Sequence, residues 1–160
     1  MQANKRYRLD HICPVLPIRS KIVSAKDAFH DVVKTALQKD GWLITHDPYP
    51  LQAGSFDLAI DLGAEKVIAA EQGEKKIAVE IKSFLGPSKI TEFYGAMGQF
   101  IAYRSALLVQ EKERVLYLAV PDDVYSRFFM TSFIAELVEQ NQIYLLVYDT
   151  DQEVIKRWKP

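Results

Sequence analysis

Residues 114–121, RVLYLAVP, form a nearly uninterrupted apolar run in a chain whose other segments mostly alternate between polar and apolar positions. A run of this length is typical of a strand with both faces covered, as in the centre of a sheet flanked by helices. A long helical pattern precedes it, over about residues 88–112, and a second follows within residues 122–141. The run therefore predicts an α/β fold with a mixed sheet and helices packed against it.

The other segments predict an α-β-β-β-α-β core with an extra helix and C-terminal strands. A first helix ends at Asp40-Gly41, and Gln72-Gly73-Glu74 suits a hairpin between two strands. The remaining predicted strands are WLITHDP, SFDLAIDLG, KVIAAE, KKIAVEIKS, IYLLVYD and EVIKRW. On the long helix, Gly95 and Gly98 are expected to let the helix approach the sheet closely. Its expected apolar stripe comprises Ile90, Phe93, Met97, Phe100, Ile101 and Leu108.

The composition of the chain limits the classes of protein to which it can belong. With 160 residues and 49% hydrophobic content, the chain fits one compact domain, placed at residues 25–160. The net charge of -1 provides no global basic field, so contact with DNA must come from a local patch. Cys13 is the single cysteine, which excludes an internal disulfide and favours a reducing cytoplasm. No apolar run approaches the roughly 20 residues of a membrane span, so a soluble protein without membrane contact is expected.

The first stretch differs in charge from everything after it. Residues 1–26 hold six Lys or Arg and one Asp, a formal +5 against -6 for the remainder. Two prolines and no helical period predict an irregular basic N-terminal arm over residues 1–24. Such an arm is either a contact for phosphates, a loosely packed extension, or a leader before the true start of the protein.

Charged residues occupy one face of the strand KKIAVEIKS. Ile77, Val79 and Ile81 point one way, whereas Ala78, Glu80 and Lys82 point the other. On SFDLAIDLG, Asp57, Ala59 and Asp61 likewise oppose the apolar set. A face that mixes acids with alanine predicts a partly covered surface with space above it. If the two strands pair with Asp57 near Glu80, two carboxylates converge beside an ammonium group.

That combination suits phosphodiester hydrolysis. Mg²⁺ prefers oxygen ligands and often uses one or two carboxylates plus substrate phosphate. A metal so held polarises a phosphoryl oxygen and lowers the pKa of bound water. The predicted metal ligands, for Mg²⁺ or Mn²⁺, are Asp57, Glu80 and the Ile81 carbonyl. Lys82 completes the predicted catalytic set by stabilising charge in the transition state.

The spacing of Asp57, 22 intervening residues and Glu80-Ile81-Lys82 resembles the PD-(D/E)xK nuclease pattern. Phe56 departs from it, standing where the pattern has proline. QFIAY, with Gln99 and Tyr103, resembles the Q-x-x-x-Y signature of RecB-type nucleases, in which both side chains position the substrate. The alternative is that Gln99 and Tyr103 only flank the core.

Several long blocks of residues 25–158, including AKDAFHDVVKTALQKDGWLITHDPY and DLAIDLGAEKVIAAEQGEKKIAVEIKSFLG, resemble the XisH family of fdxN-element excision controlling factors. The resemblance implies a restriction-endonuclease-like fold and a cyanobacterial setting. It also implies a role in removing a DNA element together with a site-specific recombinase and a companion protein, XisI. Cleavage by the family protein itself is not implied. A homo-oligomer is a further expectation, because the near-neutral chain needs extra basic surface to bind DNA.

Other residues are open to two interpretations. His30 and Asp31 are either an extra metal-binding pair or a solvated helix face, and His46-Asp47-Pro48 is either a proton-transfer group or a turn. Asp61 replaces Asp57 as the ligand if the register shifts by two residues. Phe128-Phe129 and Trp158 stack on bases or belong to the core. Two functions remain: a metal-dependent nuclease, or a non-catalytic module that binds DNA or a partner.

Overall fold

The alternation of strand and helix patterns is realised in a computed structural model that describes residues 25–57 and 67–160, except the side chains of residues 25–27, 56, 57 and 67. The predicted arm, residues 1–24, and most of the predicted strand SFDLAIDLG lie outside the described residues. In chain order the elements are α1 (Ala25–Lys39), β1 (Leu43–His46), β2 (Gln52–Ala53), β3 (Phe56–Asp57), β4 (Val67–Gln72), β5 (Lys75–Ile81), α2 (Lys89–Gln110), β6 (Arg114–Pro121), α3 (Asp122–Val124), a π-helical turn (Tyr125–Phe129), α4 (Ser132–Gln140), β7 (Leu145–Asp149) and β8 (Val154–Lys159).

The main sheet has six strands in the order β1-β4-β5-β6-β7-β8. β5 pairs in parallel with β6, and β6 with β7, whereas the other three pairings are antiparallel. α2 provides the long crossover that two parallel neighbours such as β5 and β6 require. β2 and β3 form a separate two-stranded sheet. The prediction of an α/β fold with a mixed sheet flanked by helices is confirmed.

Both faces of the sheet are covered, each by its own core cluster. α2 and α4 contribute to one cluster, which includes Ala69, Ala78 and Leu118 of the sheet. α1 packs over the other face, where Val33 and Leu37 belong to a cluster with Ile77 and Val79. β6 contributes Leu118 to the first cluster and Ala119 to the second. The prediction that this apolar run forms a strand covered on both faces is therefore confirmed.

Turn residues end the elements where the sequence predicted. Gly41 follows α1 with φ +88°, a left-handed conformation that glycine adopts without steric cost. Gly73 has φ +59° in the two-residue turn between β4 and β5, whose register pairs Gln72 with Lys75. The single helix expected within residues 122–141 is instead broken: α3 runs into the π-helical turn, and Thr131 has extended backbone before α4 begins. Within the described residues, no helix is long and apolar enough to cross a membrane.

The buried side of α2 differs from the predicted stripe. Ile101 and Leu108 are exposed, so the prediction is wrong for these two residues. The face that meets the sheet comprises Phe93, Ala96, Phe100, Tyr103, Ala106 and Leu107. The sheet beneath it presents small residues such as Ala69 and Ala78, so alanines on α2 pack there closely while larger aliphatic side chains remain outside.

Gly95 and Gly98 do not mediate the contact between α2 and the sheet. Both are exposed, and a Cβ built on either meets no heavy atom within 4 Å. The prediction that these glycines allow a close approach is therefore wrong, because Ala96 and Ala106 provide the small surface instead.

Candidate functional site

Glu80 and Lys82 lie where the central strand β5 ends. In the register of the sheet, Glu80 is opposite Val67 of β4 and Leu118 of β6. Ala78 and Glu80 face the α2 side, and Ile77 belongs to the cluster on the α1 side, so the predicted alternation is confirmed. Ala78 and Glu80 are both fully buried, so the face is covered at these two positions.

The carboxylate of Glu80 and the amine of Lys82 form an ion pair. Lys82 Nζ is 3.1 Å from Glu80 Oε1, and the side chains are 15% and 0% exposed, respectively. Removing two charges from water costs several kcal/mol per ion, and mutual attraction offsets this only in part. A pair of this kind is a weak source of stability. The pair lies at the end of a central strand, where sequence reasoning had predicted the site residues.

The segment after Lys82 is firmly anchored. The Lys82 amide donates to the Ala119 carbonyl at 3.1 Å, which continues the pairing with β6. Phe84 has φ +54°, a conformation that a bulky residue adopts only when its surroundings impose it. Its buried ring packs against Phe128 and Phe129 of the π-helical turn, with centroid distances of 6.2 and 5.4 Å. The aromatic cluster therefore fixes the path of the chain beside the ion pair.

Two further hydrogen bonds tie this segment to α2. Lys89 Nζ donates to the Phe84 carbonyl at 2.9 Å, and the Gly86 amide donates to Glu92 Oε2 at 3.1 Å. Ser88 caps α2, since its hydroxyl accepts from the Thr91 amide. The loop thus holds β5 and α2 in a fixed relation, and α2 carries the other predicted site residues.

Tyr103 lies on the side of α2 that packs against the sheet, and Gln99 lies one turn earlier on the same helix. Tyr103 is 6% exposed and belongs to the same core cluster as Ala78, and Gln99 is half-buried. The structure therefore places Tyr103 on the side of the sheet to which Ala78 and Glu80 point. Both interpretations of Gln99 and Tyr103, positioning of a substrate and flanking of the core, are compatible with this position.

The strand that carries Asp57 does not pair with β5. β3 pairs with β2, Asp57 lying opposite Gln52, and the strands on either side of β5 are β4 and β6. The condition that the Asp57 strand pairs directly with β5 is not met, because β4 and β6 are the neighbours of β5. The side chain of Asp57, and Asp61 altogether, lie outside the described residues.

The predicted metal ligands are only partly within the described residues. Within residues 25–57 and 67–160, no group of three or more His, Cys, Asp and Glu side chains is arranged to hold a metal ion. Glu80 offers one carboxylate, and the Ile81 carbonyl is an oxygen of the kind that Mg²⁺ accepts. The other predicted ligands, Asp57 and its alternative Asp61, have side chains outside the described residues, so this part of the prediction stays a prediction.

His30 and Asp47, predicted as members of separate features, belong to one cluster. His30 Nε2 is 2.8 Å from Asp47 Oδ1, and Lys34 Nζ donates to Asp47 Oδ2 at 2.8 Å. Burial raises the pKa of Asp47, but the hydrogen bonds from Lys34 and His30 outweigh this effect and the pKa is lowered. β1 runs in the same direction as β5, so Asp47 follows β1 at the end of the sheet where Glu80 lies. Because 17 positions separate His30 from Asp47, no sequence pattern predicted that the two side chains are partners.

A second polar cluster, at the start of β6, was missed by sequence reasoning. Arg114, whose side chain is 2% exposed, donates to Glu111 Oε2 at 2.7 Å, Glu71 Oε1 at 3.0 Å and the Ile77 carbonyl at 2.9 Å. Lys76 and Tyr49 also donate to Glu111. The hydrogen bond from Arg114 is the chief cause that lowers the pKa of Glu111 to about 2. Arg114 begins the apolar run RVLYLAVP, so the sequence pattern did not predict its hydrogen bonds to Glu111 and Glu71.

The predicted aromatic residues have structural partners. Phe128 and Phe129 pack against Phe84 and Phe93, which supports the core interpretation. Trp158 is half-buried and contacts Trp42 and Tyr117, with centroid distances of 5.6 and 4.9 Å.

Comparisons with known proteins agree on one family. Residues 23–156 match the family model described as XisH protein. The chain is 51% identical to an XisH family protein from Nostoc punctiforme, with a TM-score of 0.78 over 84% of this chain and 100% of the other. It is 52% identical to an fdxN element excision controlling factor protein from Anabaena variabilis, with a TM-score of 0.78 over 84% and 99% of the two chains. No functionally curated protein matches it.

Proposed function

Because this chain belongs to the XisH family, we propose that it acts in the excision of a DNA element, and that Glu80 and Lys82 form the centre of a metal-dependent phosphodiesterase site. The relative from Anabaena variabilis is described as an fdxN element excision controlling factor, and we extend that role to this chain. Hydrolysis within a PD-(D/E)xK-like site is the chemistry that the residues support best.

One observation carries the proposal: a glutamate with no exposed surface ends a central strand and is paired with a lysine two residues later. Glutamate and lysine are almost never fully buried unless they are paired. Such a pair contributes little to stability relative to apolar residues of similar volume. A buried ion pair that adds little stability is therefore a candidate for a functional role.

In the proposed site, Glu80 and the Ile81 carbonyl hold Mg²⁺ or Mn²⁺ together with Asp57, or with Asp61 in its place. When bound, such an ion polarises a phosphoryl oxygen and makes hydroxide available near neutral pH. Lys82 stabilises the negative charge that develops on the phosphate. Hydroxide would add to phosphorus, the ester P–O bond would break, and the leaving alkoxide would take up a proton from a solvent water molecule. Gln99 and Tyr103 orient the substrate from α2.

Cleavage of DNA tests the proposal directly. Supercoiled and branched DNA incubated with the wild-type chain and Mg²⁺ or Mn²⁺ should be nicked. We expect Glu80→Gln to lose at least about 100-fold in rate, because the neutral amide keeps the shape of the side chain but not the charge that holds the cation. Lys82→Ala should lose about as much through the missing charge stabilisation.

Lys75→Ala is the matched control. Lys75 is exposed at the other end of the same strand, so its removal should leave cleavage unchanged. Circular dichroism and unfolding midpoints separate loss of chemistry from loss of folding. Equal activity of Glu80→Gln and the wild-type chain would contradict the assigned site.

The second candidate function is a non-catalytic module that works with an XisI-like companion and a site-specific recombinase. The net charge of -1 favours it, because a partner must then supply the basic surface that DNA needs. Wild-type chain that is inert with Mg²⁺ and Mn²⁺, alone and with the companion, yet binds the companion stably, would establish this function in place of hydrolysis.

A further inference from the structure

The side of α2 that faces away from the sheet carries a continuous uncharged surface, which we call the outer face of α2. Its large members are well exposed: Tyr94 at 50%, Ile101 at 37%, Leu108 at 65% and Val109 at 90%. Between them lie exposed small residues spaced three or four positions apart, so that they share one side of the helix. The outer face comprises Tyr94, Gly95, Gly98, Ile101, Ala102, Ser105, Leu108 and Val109.

The charged residues of α2 are directed elsewhere. Glu92 accepts from the Gly86 amide, Lys89 donates to the Phe84 carbonyl, and Arg104 donates to the carbonyls of Asn141 and Gln142. These three are the charged residues of the 22-residue helix. A solvent-facing helix normally carries charges along its outer side, and large exposed apolar patches mark sites of protein association.

We propose that the outer face of α2 binds the same face of a second copy of this chain, with the two helices antiparallel about a two-fold axis between Ile101 and Ala102. In a two-fold interface a patch must complement itself. About this axis Tyr94 lies opposite Val109 of the copy, Gly95 opposite Leu108, and Gly98 opposite Ser105. Small residues meet at the middle and allow the helix axes to approach, and larger side chains meet toward the ends.

The area is sufficient for such a dimer. A large side chain presents roughly 150–200 Å² when fully exposed, so the four exposed fractions amount to roughly 400 Å² per copy, and the small residues bring this to about 600 Å². Two copies then bury about 1,200 Å², the lower limit of stable specific interfaces.

The dimer extends the proposed function without depending on it. Glu80, Gln99 and Tyr103 lie on or against the opposite side of α2, so the interface leaves them uncovered by the second copy. Pairing of two copies also doubles the surface available for a long, two-stranded substrate. Loss of cleavage activity would not affect the mass of the assembly, so the two proposals fail separately.

Sedimentation equilibrium tests the association. The wild-type chain should approach twice its mass of 18.3 kDa, with a Kd of about micromolar order for an interface of this size. Ser105→Glu places a charge at the middle of the interface and should raise the Kd at least about 100-fold. Ala135→Glu, which introduces the same charged side chain on the exposed side of α4, should leave the Kd unchanged.

Disulfide trapping tests the two-fold register. In a Cys13→Ser background, Gly98→Cys mixed with Ser105→Cys should form a covalent dimer on oxidation, because these positions face each other. Ser105→Cys alone should not, since the two copies of residue 105 are then separated by about 10 Å along the helices. A monomeric wild-type chain, or a dimer that Ser105→Glu leaves intact, would overturn the proposal.

Discussion

Glu111 joins three elements through one carboxylate, and its ionisation makes the fold sensitive to acid. Its pKa in the folded chain, about 2, lies below the ordinary value of 4.5, chiefly because Arg114 donates to it. The unfolded chain therefore binds a proton more readily than the folded chain does. The stabilisation is complete above about pH 5 and is lost as the pH falls from about 4.5 to 2.

We expect Glu111→Gln to lower the free energy of unfolding by about 3 kcal/mol at pH 7, since a pKa shift of this size has that value. The difference from the wild-type chain should shrink as the pH falls toward 2. Urea unfolding from pH 7 to pH 2 measures it. Glu113→Gln, an exposed position two residues away, should leave the pH dependence unchanged, and a constant difference for Glu111→Gln would contradict the linkage.

The Glu80–Lys82 pair permits a test of whether it serves chemistry or stability. Lys82→Met leaves a buried carboxylate without its lysine and should cost about 3 kcal/mol. The double change Glu80→Met and Lys82→Met removes both charges and should recover most of that loss while abolishing cleavage. Urea unfolding midpoints of the wild-type chain, Lys82→Met and the double variant measure these differences in stability. A double variant no more stable than Lys82→Met would show that the pair is required for folding.

The sequence predicted Glu80 and Lys82 because alternation along a strand is local information. The partners of Arg114 and His30 were not predicted, because they lie on elements distant in the chain: Glu71 is 43 positions from Arg114. Asp57 illustrates the same limit. The strand that contains Asp57 was predicted from its alternation. In the sheet, however, β4 rather than this strand pairs with β5, and no sequence pattern showed which strand would lie next to Glu80.

Helix α2 has two exposed glycines whose replacement tests the corrected orientation of the helix. Gly95→Ala should raise the free energy of unfolding by about 0.5–1 kcal/mol, because alanine has the higher helix propensity and meets no neighbouring atom. Thermal unfolding of the two chains measures the gain. Gly73→Ala, in the left-handed turn before β5, should instead destabilise the chain. Destabilisation by Gly95→Ala would show that this side of α2 is packed.

The bounds of α2 were predicted within two residues, but its rotation was not. Two apolar stripes of similar strength run along this helix, and both satisfy a 3.6-residue period. The alanine-rich stripe is the buried one because β4 and β5 present alanines to it. The sequence of a helix alone does not contain the shape of the surface on which it packs.

Within residues 25–57 and 67–160 several cations are neutralised by neighbouring carboxylates, and the net charge of the whole sequence is -1. Lys34 pairs with Asp47, Lys39 with Glu153, and Lys156 with both Asp122 and Asp149. We therefore expect the isolated chain to bind duplex DNA weakly, with a Kd of about 10⁻⁴ M or higher at 0.15 M salt and a shallow salt dependence. Fluorescence anisotropy from low to physiological salt measures both. Tight binding with a steep salt slope would contradict this expectation.

Phe84, two residues after Lys82, has left-handed backbone and packs against a part of the chain that is distant in sequence. Its ring is held by Phe128 and Phe129, so the connector between β6 and β7 helps to set where β5 ends. A molecule that bound the exposed side chain of Met130 or Phe133, which follow Phe128 and Phe129 in the chain, would act on the segment that holds the Phe84 ring. An external contact at that connector would thereby shift the end of β5, where Glu80 and Lys82 lie, without touching it.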